Sequence, residues 1–365
     1  MWSQTLQQMN YDEKYMRRAL QLARNGMMFV SPNPMVGAVI VHNDKIIGEG
    51  YHRRCGEGHA EVNAVASVTN PELLPHSTIY VTLEPCSHYG KTPPCAQLII
   101  DKKIPRVVIG TLDPFEKVSG RGVKMLQDAG IEVVHGVLDY ECKAINPKFI
   151  TSHTQRRPFI TLKWAQSNDG YIDHIRTNDT PHAARFSTKE SSTLVHKLRA
   201  THDAIMVGSN TVINDNPSLD CRLWSGNNPK KVIIDRKGII DCNSKIFNTN
   251  PHLTFYVSSQ RRNDLPSQVT QIVVQLDTSL QEIMNLLYQH GITSVLIEGG
   301  SALLNDAIKT NLWDLARVET APFSLNKNGS VKAPIIDKCA DKTTHIGANR
   351  VDFYCNNDLV QVKNL

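Results

Sequence analysis

The sequence predicts two consecutive α/β domains. Three observations carry that expectation. Short apolar runs alternate with helical patterns along both halves, the alternation restarts near Arg157-Pro158, and 365 residues are long for one domain and comfortable for two. We place the halves at residues 1–150 and 151–365. With 41% hydrophobic and 21% charged residues, the composition is that of an ordinary globular protein. A net charge of +5 without a sustained Lys/Arg run argues against a nucleic-acid surface, and no apolar stretch approaches membrane-spanning length. The polar N-terminus lacks a signal-peptide core, and the 8 cysteines read as reduced thiols, so the cytoplasm is the expected location.

In the first half, Asn10-Tyr11-Asp12-Glu13 reads as a capping box. Met16, Ala19, Leu20 and Ala23 follow at helical spacing until Gly26 stops the run. Met35 to Val41 and Lys45 to Gly50 form a hairpin turning at Asn43-Asp44. Glu61 to Ser67 is helical, with His59 and Glu61 in its first turn, and Ile79 to Leu83 is a buried-type strand. A helix from Ala96 to Asp101, a strand from Val107 to Gly110, a helix from Gly122 to Ala129 and a strand from Ile131 to Val134 complete the pattern. Such alternation implies a sheet of mostly parallel strands between helices.

The second half repeats the logic. Strands are expected at Phe159 to Ala165, Ala204 to Gly208, Lys231 to Asp235, Leu253 to Val257, Gln271 to Gln275 and Ser294 to Glu298. Helices are expected at Ser187 to Ala200, Leu280 to His290 and Ser301 to Thr310. Val351 to Cys355 and Leu359 to Val362 read as a closing hairpin turning at Asn356-Asn357-Asp358.

His59-Ala60-Glu61, Pro85-Cys86 and Cys95 carry the chemistry. One histidine and two cysteines can hold a zinc ion and leave its fourth position open for water, and Glu61 is placed to move protons. That constellation belongs to zinc-dependent nucleobase deaminases. Cys55, four residues before His59, leaves open a closed Cys3His structural site, which would give Glu61 no role. Asn33, held between Pro32 and Pro34, is a candidate to read a ring edge, His52 a candidate substrate contact, and Lys91 a candidate cation for a substrate phosphate or carbonyl. In the second half no G-x-G-x-x-G occurs, but Glu298-Gly299-Gly300-Ser301 is a strand end opening into a helix, suited to a phosphate.

These motifs together resemble one family. Ser31-Pro32-Asn33-Pro34-Met35-Val36-Gly37, Gly48-Glu49-Gly50-Tyr51-His52 and the eight residues Ser87 to Pro94 between Cys86 and Cys95, closing Gly90-Lys91-Thr92-Pro93-Pro94, resemble the deaminase half of the bifunctional riboflavin-biosynthesis deaminase/reductase. Lys163-Trp164-Ala165-Gln166-Ser167-Asn168-Asp169-Gly170, Gly208 to Leu219 with Arg222, and Glu298-Gly299-Gly300 are similar to its reductase half. The resemblance implies an N-terminal cytidine-deaminase-like α/β/α domain followed by a C-terminal dihydrofolate-reductase-like α/β domain. It implies one zinc ion per chain and NADPH as cofactors, a phosphorylated pyrimidine substrate, and a homo-oligomer, dimer or larger.

By the same resemblance, His59, Cys86 and Cys95 are zinc ligands, Glu61 is the general acid/base, and Asn33, His52 and Lys91 contact the pyrimidine. Ala165, Arg185, Thr211, Asp215, Gly300 and Ser301 meet NADPH, while Arg199, Leu219, Arg222 and Glu298 meet the reductase substrate. One stretch departs from the family pattern. Pro181 to Thr188 stands where relatives carry a G-E-S-x-W-I-T-like segment, aligning Ala183 with a substrate-facing serine and Arg185 with a cofactor-stacking tryptophan.

Overall fold

A computed structural model of the chain describes residues 2–89, 93–114 and 119–360, with side chains from Asn10 onward. It divides into two compact units, Met1–Gln155 and Arg156–Leu365. Among the described residues no helix is long and apolar enough to cross a membrane.

The first unit contains strands β1 (Gly37–His42), β2 (Lys45–Tyr51), β3 (Thr78–Leu83), β4 (Arg106–Thr111) and β5 (Glu132–His135). Its helices are α1 (Trp2–Ala23), α2 (Ala60–Ala66), α3 (Cys95–Asp101), α4 (Arg121–Asp128), α5 (Asp139–Ala144) and α6 (Pro147–Gln155). The sheet order is β2-β1-β3-β4-β5. β3, β4 and β5 run parallel, whereas β1 pairs antiparallel with both neighbours. Strand alternation builds the three layers. Ala38, Ile40, Ile79, Val81, Val107 and Ile109 face a core completed by α2, α3 and α4. Val39, Val41, Tyr80 and Val108 face a second core completed by α1 and α5. At Gly50 of β2, an added Cβ would lie 2.3 Å from the Ala64 nitrogen, so only glycine lets α2 pack this closely.

Two expectations need correction here. The supposed capping box does not open a helix, because α1 already runs from Trp2, with no Gly or Pro before Ala23 to interrupt it. Asp12 is instead a buried core anion, accepting from Tyr80 Oη at 3.0 Å and from both terminal nitrogens of Arg106 at 3.0 and 2.9 Å. Helices α5 and α6 were not foreseen.

The second unit carries β6 (Phe159–Gln166), β7 (Tyr171–His174), β8 (Ala204–Gly208), β9 (Lys230–Ile234), β10 (Thr254–Ser258), β11 (Thr270–Val273), β12 (Ser294–Glu298), β13 (Leu315–Thr320), β14 (Gly329–Lys332), β15 (Lys342–Ile346) and β16 (Asn349–Cys355). Its helices are α7 (Lys189–Ala200), α8 (Ser209–Asp215), α9 (Lys245–Asn248), α10 (Leu280–Gln289) and α11 (Ser301–Lys309). A nine-stranded sheet has the order β11-β10-β9-β8-β12-β6-β13-β16-β15, and β7 pairs separately with β14. The strands from β11 through β13 are parallel, and β16 and β15 join antiparallel.

Ile160, Leu162, Val295 and Ile297 pack toward α10 and α11. Alternation therefore puts Lys163 and Glu298 on the opposite face, where they are cross-strand partners. The expected closing hairpin is also corrected. β16 pairs with β13 and with the preceding β15, turning at Gly347-Ala348. Asn356 and Asn357 tie instead to Trp313 and Asp314, drawing the chain away from a fold-back. Positions 361 and 362 of the expected partner strand lie outside the described residues.

Candidate active sites

In the first unit, β3 ends at Leu83 and delivers Glu84-Pro85-Cys86, while His59 and Cys95 stand at the starts of α2 and α3. His59 leaves its capping position without a side-chain hydrogen bond to the helix. Its Nδ1 instead lies 3.6 Å from Cys86 Sγ and 3.3 Å from Cys95 Sγ, and the three ligand atoms fall within 4.8 Å of one another. A tetrahedral zinc with bonds of about 2.0 Å to nitrogen and 2.3 Å to sulfur holds such atoms about 3.5 Å apart, so the donor set fits. Cys55 is exposed and outside this cluster, which removes the closed four-ligand alternative.

Hydrogen bonding from the Cys95 thiol, supported by His59, pulls the Cys86 thiol down against the effect of burial. Cys95, the donor in that pair and itself buried, is pushed up. Glu61, one residue into α2, is buried. Desolvation, followed by the nearby Cys86, raises its carboxyl to about 7.

A pocket of about 300 Å³ opens on the cluster, and Asn33, His52 and Glu61 line it with His59 and Cys86. His52 Nδ1–H donates to the Gly58 carbonyl at 3.2 Å, and Asn33 Nδ2 donates to His52 Nε2 at 3.2 Å. That arrangement requires a neutral ring, and burial lowers its pKa accordingly. Lys91 lies outside the described residues.

Sequence reading missed Glu84. Its buried carboxylate accepts four backbone N–H bonds, from Asp113 (3.2 Å), Gly120 (3.0 Å), Gly122 (2.9 Å) and Val123 (3.2 Å), and so fixes the start of α4 beside the pocket. A carboxylate between an apolar strand and Pro-Cys was the available signal. Phe149 and His153 of α6 also line the pocket, from a segment with no motif.

In the second unit, a cleft of about 1470 Å³ opens at the carboxyl ends of β6, β8, β9 and β12. β12 returns between β8 and β6, so the strand order reverses there, the position at which open α/β sheets bind ligands. Gly299 and Gly300 adopt φ of 78° and 75°, and an added Cβ on Gly300 would lie 3.4 Å from Thr211 Oγ1. These glycines leave room at the start of α11 for a phosphate-sized group. Ala165, Arg185, Thr211, Asp215, Gly300 and Ser301 all line the cleft.

Arg199, Leu219 and Glu298 line it too. Arg199 makes a two-pronged ion pair with Glu298 at 3.0 and 2.7 Å and donates to the Asp220 carbonyl at 2.9 Å. Although burial opposes ionisation, Arg199 holds Glu298 below the usual carboxylate range. Arg222 is not brought to the cleft. It is exposed and paired with Asp220 at 2.6 Å.

In the departing stretch Arg185 is exposed on the cleft wall, and just before it Arg176 ties Asp173 to Asp215 at 2.7 and 2.6 Å. Asp215 is therefore already engaged by a cation that sequence reading did not single out. Lys163, also missed as a site residue, points into the cleft beside Glu298, and desolvation lowers its pKa.

The two sites define a class: a zinc-deaminase module and a nucleotide-type α/β cleft joined in one chain. Residues 9–111 match the cytidine and deoxycytidylate deaminase zinc-binding region, and residues 158–336 match the RibD C-terminal domain. The riboflavin biosynthesis protein RibD of Aquifex aeolicus is 38% identical over 88% of this chain and 89% of its own, and that of Bacillus amyloliquefaciens 37% over 88% and 87%. Among solved structures, Acinetobacter baumannii RibD superposes with a TM-score of 0.84 at 30% identity, covering 95% of this chain and 99% of that one. The deaminase/reductase of Thermotoga maritima gives 0.80 at 34%, with the same coverage. This chain belongs to the RibD family, the bifunctional deaminase/reductases of riboflavin biosynthesis.

Proposed function

We propose that His59 Nδ1, Cys86 Sγ and Cys95 Sγ hold one zinc ion per chain and that Glu61 carries protons in the deamination. The supporting observation is the convergence of three ligand atoms within 4.8 Å on a pocket that also contains the buried Glu61. Bound there, zinc supplies Lewis acidity that makes water nucleophilic near neutral pH. The substrate is 2,5-diamino-6-ribosylamino-4(3H)-pyrimidinone 5′-phosphate, whose 2-amino group is exchanged for oxygen. Glu61 accepts a proton from the attacking water and passes it to the ring nitrogen, then carries the proton of the added hydroxyl to the departing nitrogen, which leaves as ammonia. Burial raises the Glu61 carboxyl above the usual carboxylate range, which suits a group that both takes and gives a proton. Asn33 and the neutral His52 orient the ring edge, and Lys91 contacts the same substrate.

The second-unit cleft would hold NADPH, which when bound would supply the hydride that reduces C1′ of the opened ribose. Thr211, Gly300 and Ser301 would hold its phosphates, and Ala165, Arg185 and Asp215, which line the same cleft, would also contact it. The cleft exceeds the roughly 300–1,000 Å³ usual for one ligand, which suits a cofactor beside a substrate. Arg199, Leu219 and Glu298 form the substrate end. Arg222, paired on the surface with Asp220, reaches the substrate phosphate only after leaving that partner. We place the enzyme in the cytoplasm as a homo-oligomer, dimer or larger, which sedimentation of the purified protein tests.

Glu61→Gln tests the deaminase assignment. The variant is expected to keep its zinc and lose ammonia release by about 10²- to 10⁴-fold. Full activity in that variant would remove Glu61 from the mechanism.

A further inference from the structure

The residue just before helix α6 ties the chain to the segment that precedes β1. Asn146 Oδ1 accepts from the Met35 N–H at 2.7 Å, and its Nδ2 donates to the Met35 carbonyl at 2.8 Å. The amide thus completes a strand-like pair with a residue 111 positions earlier. Met35 lies between Pro34 and Val36, and both line the zinc-site pocket. The anchor therefore holds the first turns of α6 against that pocket. Phe149 and His153, spaced i and i+4, share the face that lines it, with ring centroids 4.5 Å apart at 62°.

The match to the deaminase zinc-binding region ends at residue 111, so this wall is built by sequence outside that module. Among the described lining residues, Phe149 offers the one carbocyclic ring. The remaining apolar lining comes from small or aliphatic groups, Pro34, Val36, Ala60 and Leu83.

Resting on the deaminase reading above, we propose that Phe149, braced by the His153 ring, is the face on which the substrate pyrimidine stacks, and so sets selectivity for it. An aromatic face suits a planar, amino-substituted heterocycle, whose polar edge remains free for Asn33 and His52. Burial lowers the pKa of His153, which fits a neutral brace better than a phosphate-binding cation.

The test uses zinc-loaded, full-length protein and follows ammonia release from the diamino-pyrimidinone phosphate. Phe149→Leu keeps apolar bulk and removes the ring. Its KM is expected to rise about tenfold, the scale of one lost base stack. Zinc content and NADPH-dependent reduction of the separately supplied deaminated intermediate should stay at wild-type values. Phe149→Tyr, which keeps the ring, should restore the wild-type KM. An unchanged KM in Phe149→Leu overturns the proposal, as does a loss confined to kcat and accompanied by zinc loss, which marks a scaffold residue. Absence of ammonia release from the wild-type enzyme would instead overturn the deaminase reading itself.

Discussion

Replacing Arg199 with methionine strips the Glu298 carboxylate of its partner while leaving it buried. The pair is two-pronged, at 3.0 and 2.7 Å, with side chains 15% and 9% exposed, and the Asp220 carbonyl loses a donor as well. Removing one member of a buried pair costs up to about 3–5 kcal/mol when the remaining charge is stranded. Here Lys163, the cross-strand neighbour of Glu298, offsets only the part not carried by the two hydrogen bonds. For a unit of this size each kcal/mol is worth about 2–4 °C, so its melting transition should fall by about 6–20 °C. Calorimetry on the zinc-loaded protein reads that shift, and ammonia release at 25 °C should persist, because the deaminase pocket contains neither residue.

The sign with pH follows from Glu298. Its folded pKa lies below 4.5, so the stabilisation is complete above about pH 4.5 and lost as pH falls through the folded value. The gap between wild type and Arg199→Met should therefore close in acid. Adding Glu298→Gln to Arg199→Met should recover part of the loss. A shift below about 2 °C at pH 7, or a gap that widens in acid, would refute the reasoning.

Other expectations are more local. Glu84→Ala orphans four N–H groups around the start of α4, three of them buried, and urea denaturation should show a loss of at least about 3 kcal/mol, with weaker zinc retention. Glu84→Gln, which keeps one acceptor oxygen, should lose less by the same measurement. A strong chelator, or Cys86→Ser, should abolish ammonia release yet leave NADPH oxidation intact when the deaminated intermediate is supplied. Concurrent loss of both activities would contradict two independent sites.

Most of the sheet was legible because its strands are continuous apolar runs buried on both faces. Ile79 to Leu83 and Ser294 to Glu298 are examples. The zinc cluster was legible because its ligands sit at strand and helix ends that local pattern already marks. Tertiary partners defeated the reading elsewhere. Asp12 looks like a capping residue until Tyr80 and Arg106 reach it, and Asn356 looks like a turn until Trp313 and Asp314 hold it. Helix α6 is short and half polar, so its periodicity said little, and the Asn146–Met35 pair that helps to place it joins residues 111 positions apart. Arg222 carries the right charge for a phosphate, but the sequence does not reveal that it pairs with its neighbour Asp220 outside the cleft.

One two-signal assay tests the central claim that this chain performs both reactions in order. Purified, zinc-loaded protein is given the diamino-ribosylamino-pyrimidinone phosphate, first without NADPH and then with it. Ammonia release in the first stage, followed by loss of nicotinamide absorbance in the second, is the predicted result. Ammonia without NADPH consumption would show that the altered Ala183 to Arg185 segment has silenced the reductase, and neither signal would contradict the account as a whole.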